Sequence, residues 1–318
     1  MRRALRGSIL TACVVLGGCA SSSSSMAPEV AAAFRSEEVL VGKAPWELKG
    51  TLTVPAGTGP FPGVILVHGS GPHDRDETVG PNKPFKDLAE GLSSRGIAVL
   101  RYDKRTKVYA QQSAAGISMD DEVVVDAVAA VETLKARADI DPKHIFVVGH
   151  SLGALLAPEI AVRAAPVAGA VLLAPPGRAP WDIILAQLRY LEQPPELIAS
   201  IEKDVELLKA GTLGDKKLLG APAAYWRDWA SRDGVAMATK LARPPLILRG
   251  ERDYQVTEED VAVWKKGLPR AEVVTIPGAN HLFIQGTGKP HPAEYQTPGN
   301  VDARVIDTLS AFIRTSSR

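Results

Sequence analysis

Cysteine is confined to the start of the chain: Cys13 and Cys19 are the only two among 318 residues. Everything after residue 19 therefore lacks both a disulfide and a thiol nucleophile. An excess of one charge is also missing. Lysine and arginine number 37 against 36 acids, for a formal net charge of +1, which excludes the strong basic bias of a nucleic-acid binder. The six histidines are scattered and form no H-x-x-x-H pair. No metal site is expected from them, and the chemistry developed below requires no cofactor. No internal repeat of solenoid length is visible.

What is present divides at the N-terminus. Arg2, Arg3 and Arg6 precede a short apolar run, Ile9 to Leu16, too short to span a bilayer and shaped like a secretory signal. The run ends Leu16-Gly17-Gly18-Cys19, which resembles the lipobox of bacterial lipoproteins although Gly17 is a less usual occupant. That resemblance implies cleavage before Cys19 and lipidation of its thiol. Ser21 to Ser25 then read as a flexible tether. Losing residues 1–18 removes three arginines and no acid, leaving 34 basic against 36 acidic residues. With no polybasic patch, membrane attachment is left to the anchor. The expected organisation is a signal peptide over 1–18, a tether over 19–45 and one folded domain over 46–318, in an exported, membrane-anchored envelope protein.

From Trp46 onward, strand-like and helix-like stretches alternate, the pattern of an α/β fold with a mainly parallel sheet. Glu47 to Val54 reads as an antiparallel edge strand of a hairpin. Gly63–His68, Ile97–Leu100, Ile145–Val148, Ala170–Ala174, Pro245–Leu248 and Val273–Ile276 are apolar runs suited to buried strands. Apolar spacing predicts helices over Lys86–Ser94, Asp121–Arg137 and Leu152–Ala164. Between about 176 and 242 no core strand is evident, only amphipathic stretches such as Ile183–Leu191 and Ile198–Leu208. An insertion of this length usually carries function, and a helical cap over the carboxyl edge of the sheet is expected. Trp181, Tyr190, Tyr225, Trp226 and Trp229 lie in it, either lining a pocket for substrate or burying the cap against the core.

Gly149-His150-Ser151-Leu152-Gly153 is the single G-x-S-x-G in the chain. A short motif alone is weak, but this one sits between a buried strand and a helix, where a serine is held exposed on a tight turn. The helix N-terminus behind it favours a developing negative charge. A serine hydroxyl also needs a base. His150 lies inside the turn and is expected to point away. His281, just past the last strand, is placed to return to Ser151, and Asp253, after the preceding strand, is placed to orient the imidazole. The alternative for Asp253 is a turn carboxylate capping the helix near Thr257. The order Ser151, Asp253, His281 is that of the strand-turn-helix serine enzymes. Oxyanion donors are expected at the Leu152 N–H and in the loop His68–Pro72, with the Ser70 amide preferred over Gly71.

The stretches HGSGPHDRDETVGPNKPFKDLAEGLSSRGIAVLRYDKRT, GHSLG, LRGERDYQVT and GANHLF resemble bacterial carboxylesterases of the α/β-hydrolase superfamily, in the EstD-like group. The likeness runs from about Trp46 to the C-terminus. It implies the α/β-hydrolase fold, a Ser151–Asp253–His281 triad and a small-molecule ester as substrate. It also makes Asp74-Arg75-Asp76 and Asp103-Lys104-Arg105 part of a shared scaffold, expected as ion pairs near the site mouth. Peptidase or acyl-thioesterase activity uses the same machinery and stays open, as does a non-catalytic envelope lipoprotein. An aspartate-nucleophile enzyme is disfavoured by Ser151.

Overall fold

The computed structural model describes residues 33–113 and 116–315; the expected signal segment, Cys19 and the expected serine tether over Ser21 to Ser25 lie outside the described residues. Eight strands form one sheet: β1 Phe34–Val41, β2 Leu48–Pro55, β3 Phe61–Val67, β4 Ala98–Tyr102, β5 Ile140–His150, β6 Gly169–Leu173, β7 Leu246–Gly250 and β8 Glu272–Ile276. Their order is β1-β2-β4-β3-β5-β6-β7-β8. β1–β2 and β2–β4 pair antiparallel, and every pair from β4 to β8 is parallel.

The strands begin twelve residues before the expected domain boundary at 46. The tether expected over 19–45 therefore contains β1, and β2, expected as the edge, is an inner strand. Phe34-Arg-Ser-Glu-Glu-Val-Leu-Val carries charge where a buried strand carries apolar residues, because β1 is only half covered. Its polar side chains find distant partners: Arg35 reaches Asp139 at 2.8 Å and Glu37 accepts from Arg137 at 2.8 Å.

Successive residues of the central strands face opposite sides of the sheet. Val64, Leu66, Phe146 and Val148 pack with Phe85, Leu88, Leu92, Val305 and Leu309, which come from helices α1 Pro84–Ser93 and α11 Ala303–Thr315. Ile65, Val67, Ile145 and Val147 pack with Val131, Leu134, Leu156 and Ile160 on the other face. Those belong to α4 Val125–Lys135, which follows one π-helical turn at Asp120–Val124, and to α5 Leu152–Arg163. Two single-turn helices, α2 Arg105–Val108 and α3 Ala110–Ser113, follow β4.

The interval between β6 and β7 is helical: α6 Pro180–Tyr190, α7 Pro195–Ala210, α8 Ala223–Ser231 and α9 Gly234–Ala238. It buries its own apolar cluster, which includes Leu185, Ile201, Val205, Leu208 and Trp226. Helix α10, Glu258–Gly267, follows β7. The loops after β3, β5, β7 and β8 all leave the carboxyl ends of parallel strands, where open α/β sheets place their sites.

Candidate active site

Ser151 occupies the single residue between β5 and α5 and has φ 52°, ψ −118°, a left-handed conformation that costs a non-glycine residue on the order of 1 kcal/mol or more. The two motif glycines make this turn sterically possible. A Cβ on Gly149 would stand 2.1 Å from the Gly153 carbonyl oxygen, and one on Gly153 would stand 2.2 Å from the Val67 carbonyl oxygen. The turn is pinned by the Ser151 N–H, which donates to the Leu173 carbonyl at 2.9 Å. Leu152 is the first residue of α5, so its N–H has no acceptor in a preceding turn.

The structure joins Asp253 to His281. The imidazole Nδ1–H donates to Asp253 Oδ2 at 2.7 Å, and both side chains are buried. The other carboxylate oxygen, Oδ1, accepts from the Gln255 N–H at 2.8 Å and the Val256 N–H at 3.0 Å. Asp253 thus organises a turn and an imidazole at once, one oxygen for each. The helix beginning near Thr257 is served by Asp260 instead, whose carboxylate accepts from the Thr257 N–H at 3.0 Å. Ser151, His281, Ser70 and Gly69 line one pocket of about 220 Å³. The oxyanion loop comes close to the nucleophile: a Cβ on Gly69 would lie 3.2 Å from the Ser151 Cβ.

Ser151 and Ser70 also open onto a larger pocket of about 650 Å³ under the cap. Tyr225, Trp226 and Trp229 line it together with Ile183 and Ile184. The remaining cap aromatics are used for packing: Trp181 joins the cap cluster, and Tyr190 stacks on Tyr254 with ring centroids 5.1 Å apart. Glu122 also lines this pocket, 3% exposed and 2.6 Å from Lys104 Nζ, which is itself 2% exposed. Burial and the neighbouring Glu122 charge push the Tyr225 phenol up.

Of the two charged triplets, all but Asp74 form ion pairs, and Asp74 accepts from Thr78 instead. Arg75 bridges Asp103 at 2.9 Å and Glu38 at 2.8 Å, Asp76 meets Arg101, and Arg105 meets Asp126 at 2.5 Å. Lys104 does more, since its ammonium also donates to the Gly69 carbonyl at 2.7 Å. The residue that sequence reasoning missed is Glu77. It is 2% exposed, adopts φ 51°, and accepts the Gly69 N–H at 2.6 Å. Its other oxygen lies 3.0 Å from His150 Nδ1, so His150 does point away from Ser151. Burial, the largest single influence, pushes the Glu77 carboxyl up, but the neighbouring histidines, His150 foremost, together outweigh it and hold the group at about 2. Burial works against protonation of His150 as well, and Glu77 reverses this, raising its pKa. His68 behaves oppositely: burial drives it down to about 3, so it stays a neutral packing residue against Phe85 and Tyr102.

A strand-borne serine on a strained turn, beside a buried histidine–carboxylate pair at the end of the sheet, defines a hydrolase site of the α/β type. Residues 64–295 match the alpha/beta hydrolase family, and the chain belongs to it. More narrowly, it is 44% identical over 287 residues to Esterase EstD of Thermotoga maritima, with 88% of this chain and 68% of the relative covered. Among solved structures, Est1E from Butyrivibrio proteoclasticus has the same fold, with a TM-score of 0.59 at 18% identity over 88% of this chain and 98% of that one. The esterase domain of a Rhodothermus marinus protein gives 0.54 at 18% identity, covering 88% of this chain and 98% of that domain.

Proposed function

We propose that this protein is a serine carboxylesterase that works through an acyl-enzyme on Ser151. The observation that carries the reading is the buried Asp253–His281 hydrogen bond of 2.7 Å at a pocket shared with Ser151. With Nδ1–H held by Asp253, the imidazole keeps its Nε2 lone pair free to take the Ser151 proton. The Ser151 oxygen then attacks the ester carbonyl, and the oxyanion rests on the Leu152 and Ser70 N–H groups. Collapse of the tetrahedral intermediate expels the alcohol, which takes its proton from His281. Water, deprotonated by the same imidazole, cleaves the acyl-enzyme and releases the acid. The 44% identity to Esterase EstD favours esters over amides and thioesters.

A fluorophosphonate probe tests the nucleophile. Wild-type protein is expected to form an adduct on Ser151 and to turn over short p-nitrophenyl esters, and Ser151→Ala to lose both. Full turnover by Ser151→Ala would remove the assignment, and faster cleavage of matched amides or thioesters would replace esterase by peptidase or thioesterase. The Leu16-Gly17-Gly18-Cys19 motif supports an exported lipoprotein anchored through Cys19. Cys19→Ala is expected to release the protein from the membrane fraction, and unchanged association would refute the anchor.

A further inference from the structure

We propose that Glu77 and His150 are a positioning pair that ties the oxyanion loop, the nucleophile turn and the His281 loop into one unit. This rests on the serine esterase reading above but concerns residues that the reaction itself does not use. The geometry has three links. Glu77 Oε1 accepts the Gly69 N–H at 2.6 Å, next to the Ser70 donor. Glu77 Oε2 lies 3.0 Å from His150 Nδ1, in the residue before the nucleophile. His150 Nε2–H donates to the backbone carbonyl of His281 at 3.0 Å. One carboxylate and one imidazole thereby touch all three segments that must stay in register during acyl transfer.

Several features show that the link is built rather than incidental. Glu77 and His150 are 2% and 6% exposed, and a charge in such a place is costly unless it is paired. Glu77 holds φ 51° in a loop that turns back through the Glu77 N–H to Asp74 carbonyl bond of 2.9 Å, a conformation that persists only when its surroundings enforce it. Gly69 is held at its other end too, by Lys104 Nζ on its carbonyl. That carbonyl and the Ser70 N–H belong to one planar trans peptide and point in opposite directions. Fixing Gly69 at both its N–H and its C=O therefore sets the direction in which the Ser70 N–H points. The His150 and His281 rings lie 4.7 Å apart, so movement of His150 is passed to the base.

The test compares Glu77→Ala and Glu77→Gln with wild type, each normalised to active sites titrated by a fluorophosphonate. Loss of register misplaces donors and base without emptying the cap pocket. Glu77→Ala should therefore lose about 30- to 100-fold in kcat with KM within about threefold, the size expected for an approximately 1 Å misplacement. The glutamine keeps an oxygen for the Gly69 N–H and offers an N–H to a neutral His150. Glu77→Gln should recover to within about fivefold of wild type, since it keeps the Gly69 bond and the close contact with His150. A kcat for Glu77→Ala within about threefold of wild type per titrated site overturns the proposal, as does a glutamine variant no better than the alanine one. Should Glu77→Ala fail to fold, His150→Gln decides. Its two N–H donors share one nitrogen, which cannot stand where both Nδ1 and Nε2 of the imidazole stand, and about a tenfold or greater fall in kcat is expected, an undiminished kcat again overturning the pair. The two readings fail separately. Turnover surviving in Ser151→Ala would sink the esterase assignment, whereas full activity in Glu77→Ala with Ser151→Ala inactive sinks only the positioning pair.

Discussion

Asp253→Asn tests most directly how the site is wired. The wild-type carboxylate divides its work: Oδ1 accepts two backbone N–H groups, from Gln255 at 2.8 Å and Val256 at 3.0 Å, and Oδ2 accepts from His281 Nδ1 at 2.7 Å. An asparagine must choose. Turning its NH2 toward the backbone donors would leave two buried N–H groups unsatisfied, at about 1–3 kcal/mol each. The amide oxygen therefore stays on the turn and the NH2 faces His281. An N–H there needs a lone pair on Nδ1, which moves the imidazole proton to Nε2. That tautomer cannot accept the Ser151 proton. The same substitution in a serine protease triad costs about 10⁴ in kcat, and about 10³–10⁴ is expected here, or about 4–5.5 kcal/mol of barrier. The assay is steady-state hydrolysis of p-nitrophenyl acetate with active sites counted independently, alongside thermal unfolding. Because the backbone bonds survive, the unfolding midpoint should move little. A loss below about tenfold in a folded variant would refute the tautomer argument.

Gly149→Ala would place a methyl 2.1 Å from the Gly153 carbonyl oxygen. An overpacking cost of about 2–3 kcal/mol or more follows, read as a fall of about 5–10 °C in Tm. Trp229→Ala enlarges the cap pocket of about 650 Å³. Room for two or three more methylenes at about 0.8 kcal/mol each should shift the acyl-length optimum upward, by about tenfold or more in relative kcat/KM for longer chains. Glu77→Gln also carries a pH signature. The folded Glu77 pKa is lowered to about 2 from 4.5, so its stabilisation is complete above 4.5 and lost as the pH falls toward 2. His150 is raised from 6.5, so its share is complete below 6.5 and lost as the pH rises through the raised value. The difference in Tm between wild type and Glu77→Gln should be widest between pH 4.5 and 6.5 and shrink on either side.

The parts of the molecule legible in the sequence were those with a local physical signature. Buried parallel strands read as unbroken apolar runs, and a serine between two glycines at the end of such a run can only be a tight turn if a helix follows. Asp253 and His281 were readable because each sits a few residues beyond a recognisable strand. β1 was not, because its polar residues are satisfied by Arg137 and Asp139, a hundred residues away, and no local pattern announces such partners. Glu77 was hidden for the same reason: it lies in a charged run beside Asp74 and Asp76, and only tertiary contact with His150 distinguishes it. The cap aromatics divided into pocket and packing roles by the way α6 and α8 meet, which helical spacing alone does not encode.

The separate apolar cluster of the cap has a consequence for how such a protein can change. The cap enters the chain after the nucleophile and leaves before the acid, so its residues can be replaced without altering the order in which the machinery is laid down. Its inner packing is its own, while Tyr225 and Trp229 also rest on the main core, so mutations confined to the inner cluster draw on a store of stability different from the one that holds Ser151, Asp253 and His281. Breadth of substrate and soundness of catalysis can therefore drift independently, and a library confined to α6–α8 should yield altered selectivity far more often than dead protein.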